Sequence, residues 1–231
     1  VWFYLRLIIL PSTQVMGVFH DDIAVSRQLF VPATTLPAIL GILALLVSTW
    51  MLRKRLPLVA FGILFFLVGH TMESTIFALE LVHEHRNYVP MFGLLLAFFH
   101  LLLGPLNAAS TQLPRRAVAV LLIGLFALGT FSRANAWANP FDLWQAEVDH
   151  HPSSPRTNSE MGSLYANYKT SDPLATENHY FLARNYFEQA AELQKNDVIG
   201  LFGLIQLSIS RGKPVDKQWL TELAYRLEHA A

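Results

Sequence analysis

The chain has 231 residues, 53% of them hydrophobic and only 15% charged, with a formal net charge of +0. Neutrality without a dense Lys/Arg patch argues against nucleic acid as a partner. The absence of cysteine excludes disulfides and thiolate metal sites, and leaves the redox compartment open.

Charged residues are sparse up to about Phe131 and ordinary in frequency after it, so a bilayer is expected to supply the apolar surroundings of the first half. Residues 1–10 (VWFYLRLIIL) are too short to span a membrane and lack a signal-peptide layout. They read as the end of a helix, and the chain as a carboxy-terminal fragment. The loop 11–30 carries His20, Asp21, Asp22 and Arg27. A carboxylate pair at a membrane surface acts as a base or a cation ligand, or merely as a solvated turn or helix cap.

A helix needs about 20 mostly apolar residues to cross roughly 30 Å of hydrocarbon. Four segments meet or approach that length: 31–52, 58–82, 88–106 and the shorter 117–131. Basic residues favour the cytoplasmic side. Arg53-Lys54-Arg55 place the first connection inside, and Arg115-Arg116 place the third there too. The loop 11–30, the turn near His83 and everything after Phe131 then lie outside. Trp137, Asn139, Pro140 and Trp144 read as an interfacial aromatic anchor.

The tail 132–231 reads as helical. A short amphipathic stretch, 142–150, ends at His151-Pro152, and Pro155 opens the next element at 156–169. Residues 178–194 place Tyr180, Ala183, Tyr186, Phe187, Ala190 and Ala191 at helical spacing. Segments 198–210 and 215–229 follow, parted by the Gly212-Lys213-Pro214 breaker. The expected fold is therefore all-α: a polytopic bundle of about four spans over 1–131, then an extracytoplasmic helical-hairpin, tetratricopeptide-like domain. A generic small helical domain fits the tail equally well.

The passage 69–90, GHTMESTIFALELVHEHRNYVP, is the most informative. An ionisable group in hydrocarbon costs about 2.5–3.5 kcal/mol, so such groups face a bundle interior or a water cavity. On one continuous helix at 100° per residue, His70, Glu73, Glu80 and Glu84 share a sector about 80° wide. His70 and Glu73 lie deepest and also suit plain helix–helix bonding. The outer members Glu80, Glu84, His85, Arg86, Asn87 and Tyr88 suit a donor or acceptor site at the membrane surface. Arg86 is the natural phosphate ligand, because a guanidinium offers planar, bidentate donors. Nearby carboxylates would orient it, hold a divalent cation or bond sugar hydroxyls. His83, Glu84 and His85, in immediate succession, do not converge on one ion.

The same passage, above all the Glu-His-Arg-Asn-Tyr-Val-Pro run 84–90, resembles polytopic GT-C-type membrane glycosyltransferases with tetratricopeptide repeats after their last span. Those include the transmembrane and tetratricopeptide repeat-containing O-mannosyltransferases and their bacterial relatives. Tyr4-Leu5-Arg6 with Pro11, and Arg133 followed by Trp137, add to the resemblance. It implies an integral protein of a bacterial inner (cell) membrane that transfers a sugar from a polyprenyl-phosphate-linked donor to an acceptor on the outer face. The C-terminal helices would engage an acceptor protein. The family takes its catalytic carboxylate from the first outer loop, which this chain lacks, so the catalytic residue is unassigned and Asp21 and Asp22 are not promoted to that role. A membrane-anchored scaffold that binds other proteins without catalysis is the alternative. A transporter is a third reading, but the repeated halves it would favour are not seen.

Overall fold

The computed structural model describes residues 1–12, 15–23, 25, 26, 28–71, 82–104, 112–195 and 197–229. Among them the chain forms ten α-helices and no β-strand. It divides into two compact units, Val1–Met16 with Ala24–Arg133, and Gly17–Ile23 with Ala134–Ala231. The second unit thus takes in a piece of the first loop, 17–23, that the sequence groups with the membrane half.

The first unit holds α1 (Trp2–Ile9), α2 (Thr35–Leu52), α3 (Pro57–Gly69), α4 (Tyr88–Leu103) and most of α5 (Gln112–Ala136). Among the described residues three stretches are long and apolar enough to cross a bilayer: Thr35–Leu52, Glu84–Leu103 and Leu113–Ala136. Helix α2 buries no residue. It leaves Leu40, Leu43, Val47 and Trp50 exposed, and α5 does the same with Val120, Leu121, Ile123 and Leu128. Apolar faces this continuous are costly in water and ordinary in hydrocarbon. With 25 residues α5 is about 37 Å long, well beyond the expected 117–131.

Helix α3 differs from expectation in the other direction. Pro57 starts it, and its 13 residues end at Gly69. His70, at φ −95° and ψ 1°, has left the helix, and Thr71 continues a turn. The expected span 58–82 is therefore not one unbroken helix. Glu84 belongs instead to a separate 3-10 turn, Glu84–Asn87, which leads straight into α4. The shared helical sector computed for His70 and Glu84 does not survive this break. Glu73 and Glu80 lie outside the described residues.

Small residues let α3 and α4 touch backbone to backbone. A Cβ on Gly62 would collide with the Gly93 carbonyl, and one on Gly93 would stand 2.5 Å from the Gly62 oxygen. A Cβ on Gly69 would meet Pro90 at 2.6 Å. Phe66, Val59, Ala60, Ile63 and Ala97 fill the buried seam around these contacts.

The second unit consists of α6 (Pro140–His150), α7 (Pro155–Asn167), α8 (Pro173–Leu193), α9 (Ile199–Ser210) and α10 (Lys217–Glu228). Side-chain caps set four of the five starts. Asn139, Ser154, Asp172 and Asp216 accept from the backbone N–H of Phe141, Thr157, Leu174 and Gln218. Proline occupies the first turn of α6, α7 and α8, where no N–H is needed. Tyr180, Ala183, Phe187 and Ala191 of α8 pack on Leu201, Leu204 and Leu207 of α9 to form the core. Helices α7 to α10 have 13, 21, 12 and 12 residues, so they do not repeat a single length.

Candidate functional site

In the first unit Tyr4, Phe66 and Asn87 gather around His70. Where α3 ends, its imidazole is 1% exposed. It stacks on Tyr4 with ring centroids 4.5 Å apart and an interplanar angle of 12°, and meets Phe66 edge-on at 4.7 Å. His70 Nε2 and Asn87 Oδ1 are 3.3 Å apart, which ties the end of α3 to the start of α4. The Tyr4 hydroxyl donates to the His83 carbonyl at 3.0 Å and accepts from the His83 N–H at 2.9 Å. Tyr4, Asn87 and Pro90 are buried as well.

These contacts fix the 3-10 turn and decide which of its residues look outward. Asn87 faces in, whereas His85 and Tyr88 are exposed and Glu84 and Arg86 are half-buried. The His83 and His85 rings lie 4.8 Å apart. Of the residues assigned to the stripe, His70 and Asn87 serve as internal bonds. Glu84, His85, Arg86 and Tyr88 form the rim that those bonds hold in place.

In the second unit the segment 17–23 docks at the corner where α6 meets α7. Phe19 stacks on Trp144 at 5.9 Å, so Trp144 has a protein partner in addition to any interfacial role. The Arg156 guanidinium lies 5.5 Å from the Phe19 ring. Glu147, 1% exposed, accepts from the Val18 N–H at 2.7 Å. Asp21 accepts from the Arg156 N–H at 3.3 Å, in the first turn of α7, where a carboxylate is favoured. Asp22 Oδ2 and His151 Nδ1 are 2.9 Å apart. The His20 and His151 rings meet edge-on at 5.5 Å, and both residues are 7% exposed.

Asp21 and Asp22 are therefore not a merely solvated pair. Sequence reading gave His151 only the role of a helix end, and passed over Glu147. The signal available was an acid pair in one loop and an interrupted His-His-Pro in another; nothing local joins them across some 130 residues. A groove between α7 and α9, lined by Asn167, Lys169, Gln206 and Arg211 among others, lies elsewhere in this unit.

Comparison of the chain with models of known protein families, with curated proteins and with solved structures returns no match.

Proposed function

We propose that the chain forms part of a membrane glycosyltransferase, which moves a sugar from a polyprenyl-phosphate-linked donor to an acceptor on the extracytoplasmic side. The observation that carries this reading is the pinned turn Glu84–Asn87. Its outer residues combine a guanidinium, a carboxylate and an imidazole, with the Tyr88 phenol next to them at the start of α4, while buried Asn87, His70 and Tyr4 hold the turn in place. Binding groups fixed by packing beneath them are what a preorganised site needs. The departing lipid phosphate requires cationic stabilisation, and Arg86 is the group suited to give it. Glu84 would orient that guanidinium or hold a divalent cation. The base for the acceptor hydroxyl is not assigned to any residue.

Chain parity supports four crossings. Residues 17–23 precede α2 and residues 134–231 follow α5, yet both belong to one compact unit. They must then share a side of the membrane, and an even number of crossings separates them. Helices α2, α4 and α5 supply three, so the reading requires a fourth between α2 and α4, in the part of the chain where α3 lies. Arg53, Lys54 and Arg55 between α2 and α3, with Arg115 and Arg116 at the start of α5, put those ends inside. The turn at Glu84 and the second unit then lie outside, where the groove between α7 and α9 is open to an acceptor protein.

A scaffold reading draws on the second unit having its own core, but leaves the pinned turn without a purpose. Replacing Arg86 separates the two. Arg86→Ala should lower sugar transfer in membranes by roughly 10²–10³-fold, the range for losing one charge-stabilising donor, with insertion unchanged. Transfer at near-normal rate would remove Arg86 from the phosphate site.

A further inference from the structure

The corner where segment 17–23 meets α6 and α7 brings together two imidazoles and a carboxylate from distant parts of the chain. One ligand atom from each of His20, Asp22 and His151 lies within 4.8 Å of the other two. We propose that this corner is a binding site for a divalent transition-metal ion of the zinc class, held by His20, Asp22 and His151.

Four features point this way. Both imidazoles are buried, whereas Asp22 is at the surface with its side chain 20% exposed, which gives an ion a way in. His151 Nδ1 and Asp22 Oδ2 are 2.9 Å apart. Tetrahedral ligands around an ion with bonds of about 2.0–2.1 Å stand roughly 3.3–3.4 Å apart, so an ion can replace the shared proton if the pair opens by about half an ångström. His20 needs to close by at most about 1.5 Å, within reach of a side-chain rotation in a loop.

The other ring nitrogen also fits. His151 Nε2 is buried and has no hydrogen-bond partner among the described residues. It faces the same point as Glu147: a Cβ on Gly17 would stand 2.8 Å from Nε2 and 3.1 Å from Glu147 Oε2. A metal-bound imidazole directs its second N–H to a carboxylate, which fixes the tautomer. Glu147, which approaches the same point beside Gly17, is the carboxylate that would take that N–H once an ion is bound. Asp21, bonded to the Arg156 N–H, anchors the loop beside the site.

Donor chemistry narrows the ion. Two imidazoles and one carboxylate suit zinc, cobalt or ferrous iron, while calcium and magnesium prefer oxygen alone. Three protein ligands leave at least one position for water. The ion would staple the loop ahead of α2 to the helices that follow α5. The proposal does not rest on the sugar-transfer reading, since its test reads metal directly.

The full chain, untagged and in detergent, is stripped with chelator and titrated with Co²⁺ and then Zn²⁺. We expect one Co²⁺ per chain, with the visible absorption of an imidazole-ligated ion, displaced by Zn²⁺ but not by excess Mg²⁺. His20→Ala, His151→Ala and Asp22→Asn should each weaken binding at least roughly a hundredfold, the upper end of the effect of outer-shell changes. His150→Ala should not. Helical circular dichroism accompanies each variant, and Asp22→Asn, isosteric and near the surface, is the decisive one if a histidine variant fails to fold. Absence of binding to the native chain, or binding that persists in Asp22→Asn at full affinity, would overturn the assignment.

Discussion

At the residue scale, Arg226 shows how one buried charge can hold a small helical unit. Its side chain is 8% exposed, and Nη1 donates to the carbonyls of Ala191, Gln194 and Asp197 at 2.9, 3.1 and 2.7 Å. Nε donates to Glu222 at 2.7 Å. These carbonyls belong to the last turn of α8 and the connection beyond it, where a positive charge also meets the negative end of the helix. Arg226→Met keeps the volume and orphans three acceptors. It should destabilise the second unit by about 1–3 kcal/mol or more, the cost of leaving buried acceptors unsatisfied, read as a lowered thermal midpoint. A loss under about 1 kcal/mol would mean that water replaces the guanidinium there. Nothing local in the sequence singles out Arg226, because its partners lie about 30 residues back. The caps Asn139, Ser154, Asp172 and Asp216 are the opposite case, since their targets are two or three residues ahead.

At the element scale, the seam between α3 and α4 depends on what its residues lack. Gly62 and Gly93 stack carbonyl to Cα, which no side chain permits. Gly93→Val should push the two helices apart at a cost of about 1–3 kcal/mol or more and lower the yield of protein that stays folded in detergent. Gly129→Val is the control, because a Cβ there meets nothing within 4 Å. Equal yields would show that the seam tolerates a methyl-sized gap.

Helix boundaries were legible wherever composition changed sharply. The tail elements fall close to where periodicity and the Pro and Gly breakers put them. The end of α3 was not, because the apolar run up to Gly69 passes into ESTIFALEL, whose composition still favours helix. The break at His70 coincides with tertiary contacts to Tyr4 and Asn87, which no short window of sequence contains. For the same reason the candidate site was legible only in part. The rim residues Glu84, His85, Arg86 and Tyr88 announced themselves by polarity, whereas the inward role of Asn87 depends on packing.

At the scale of the whole molecule, the sugar-transfer reading depends on which side of the bilayer the turn at Glu84 occupies. Segment 17–23 and the tail share one unit, and that shared membership requires an even number of crossings between them. In the proposed orientation the basic clusters face the cytoplasm. Because the chain contains no cysteine, each introduced thiol is the only one present, and a membrane-impermeant maleimide reports its side without ambiguity. Ser26→Cys, Lys54→Cys, His85→Cys and Trp137→Cys sample the first loop, the two connections flanking α3 and the start of the tail. In intact cells the account predicts labelling of Ser26→Cys, His85→Cys and Trp137→Cys, and protection of Lys54→Cys until the membrane is opened. Labelling of His85→Cys only after permeabilisation, with Trp137→Cys still labelled from outside, would put the turn in the cytoplasm and contradict both the four crossings and the outer-face site.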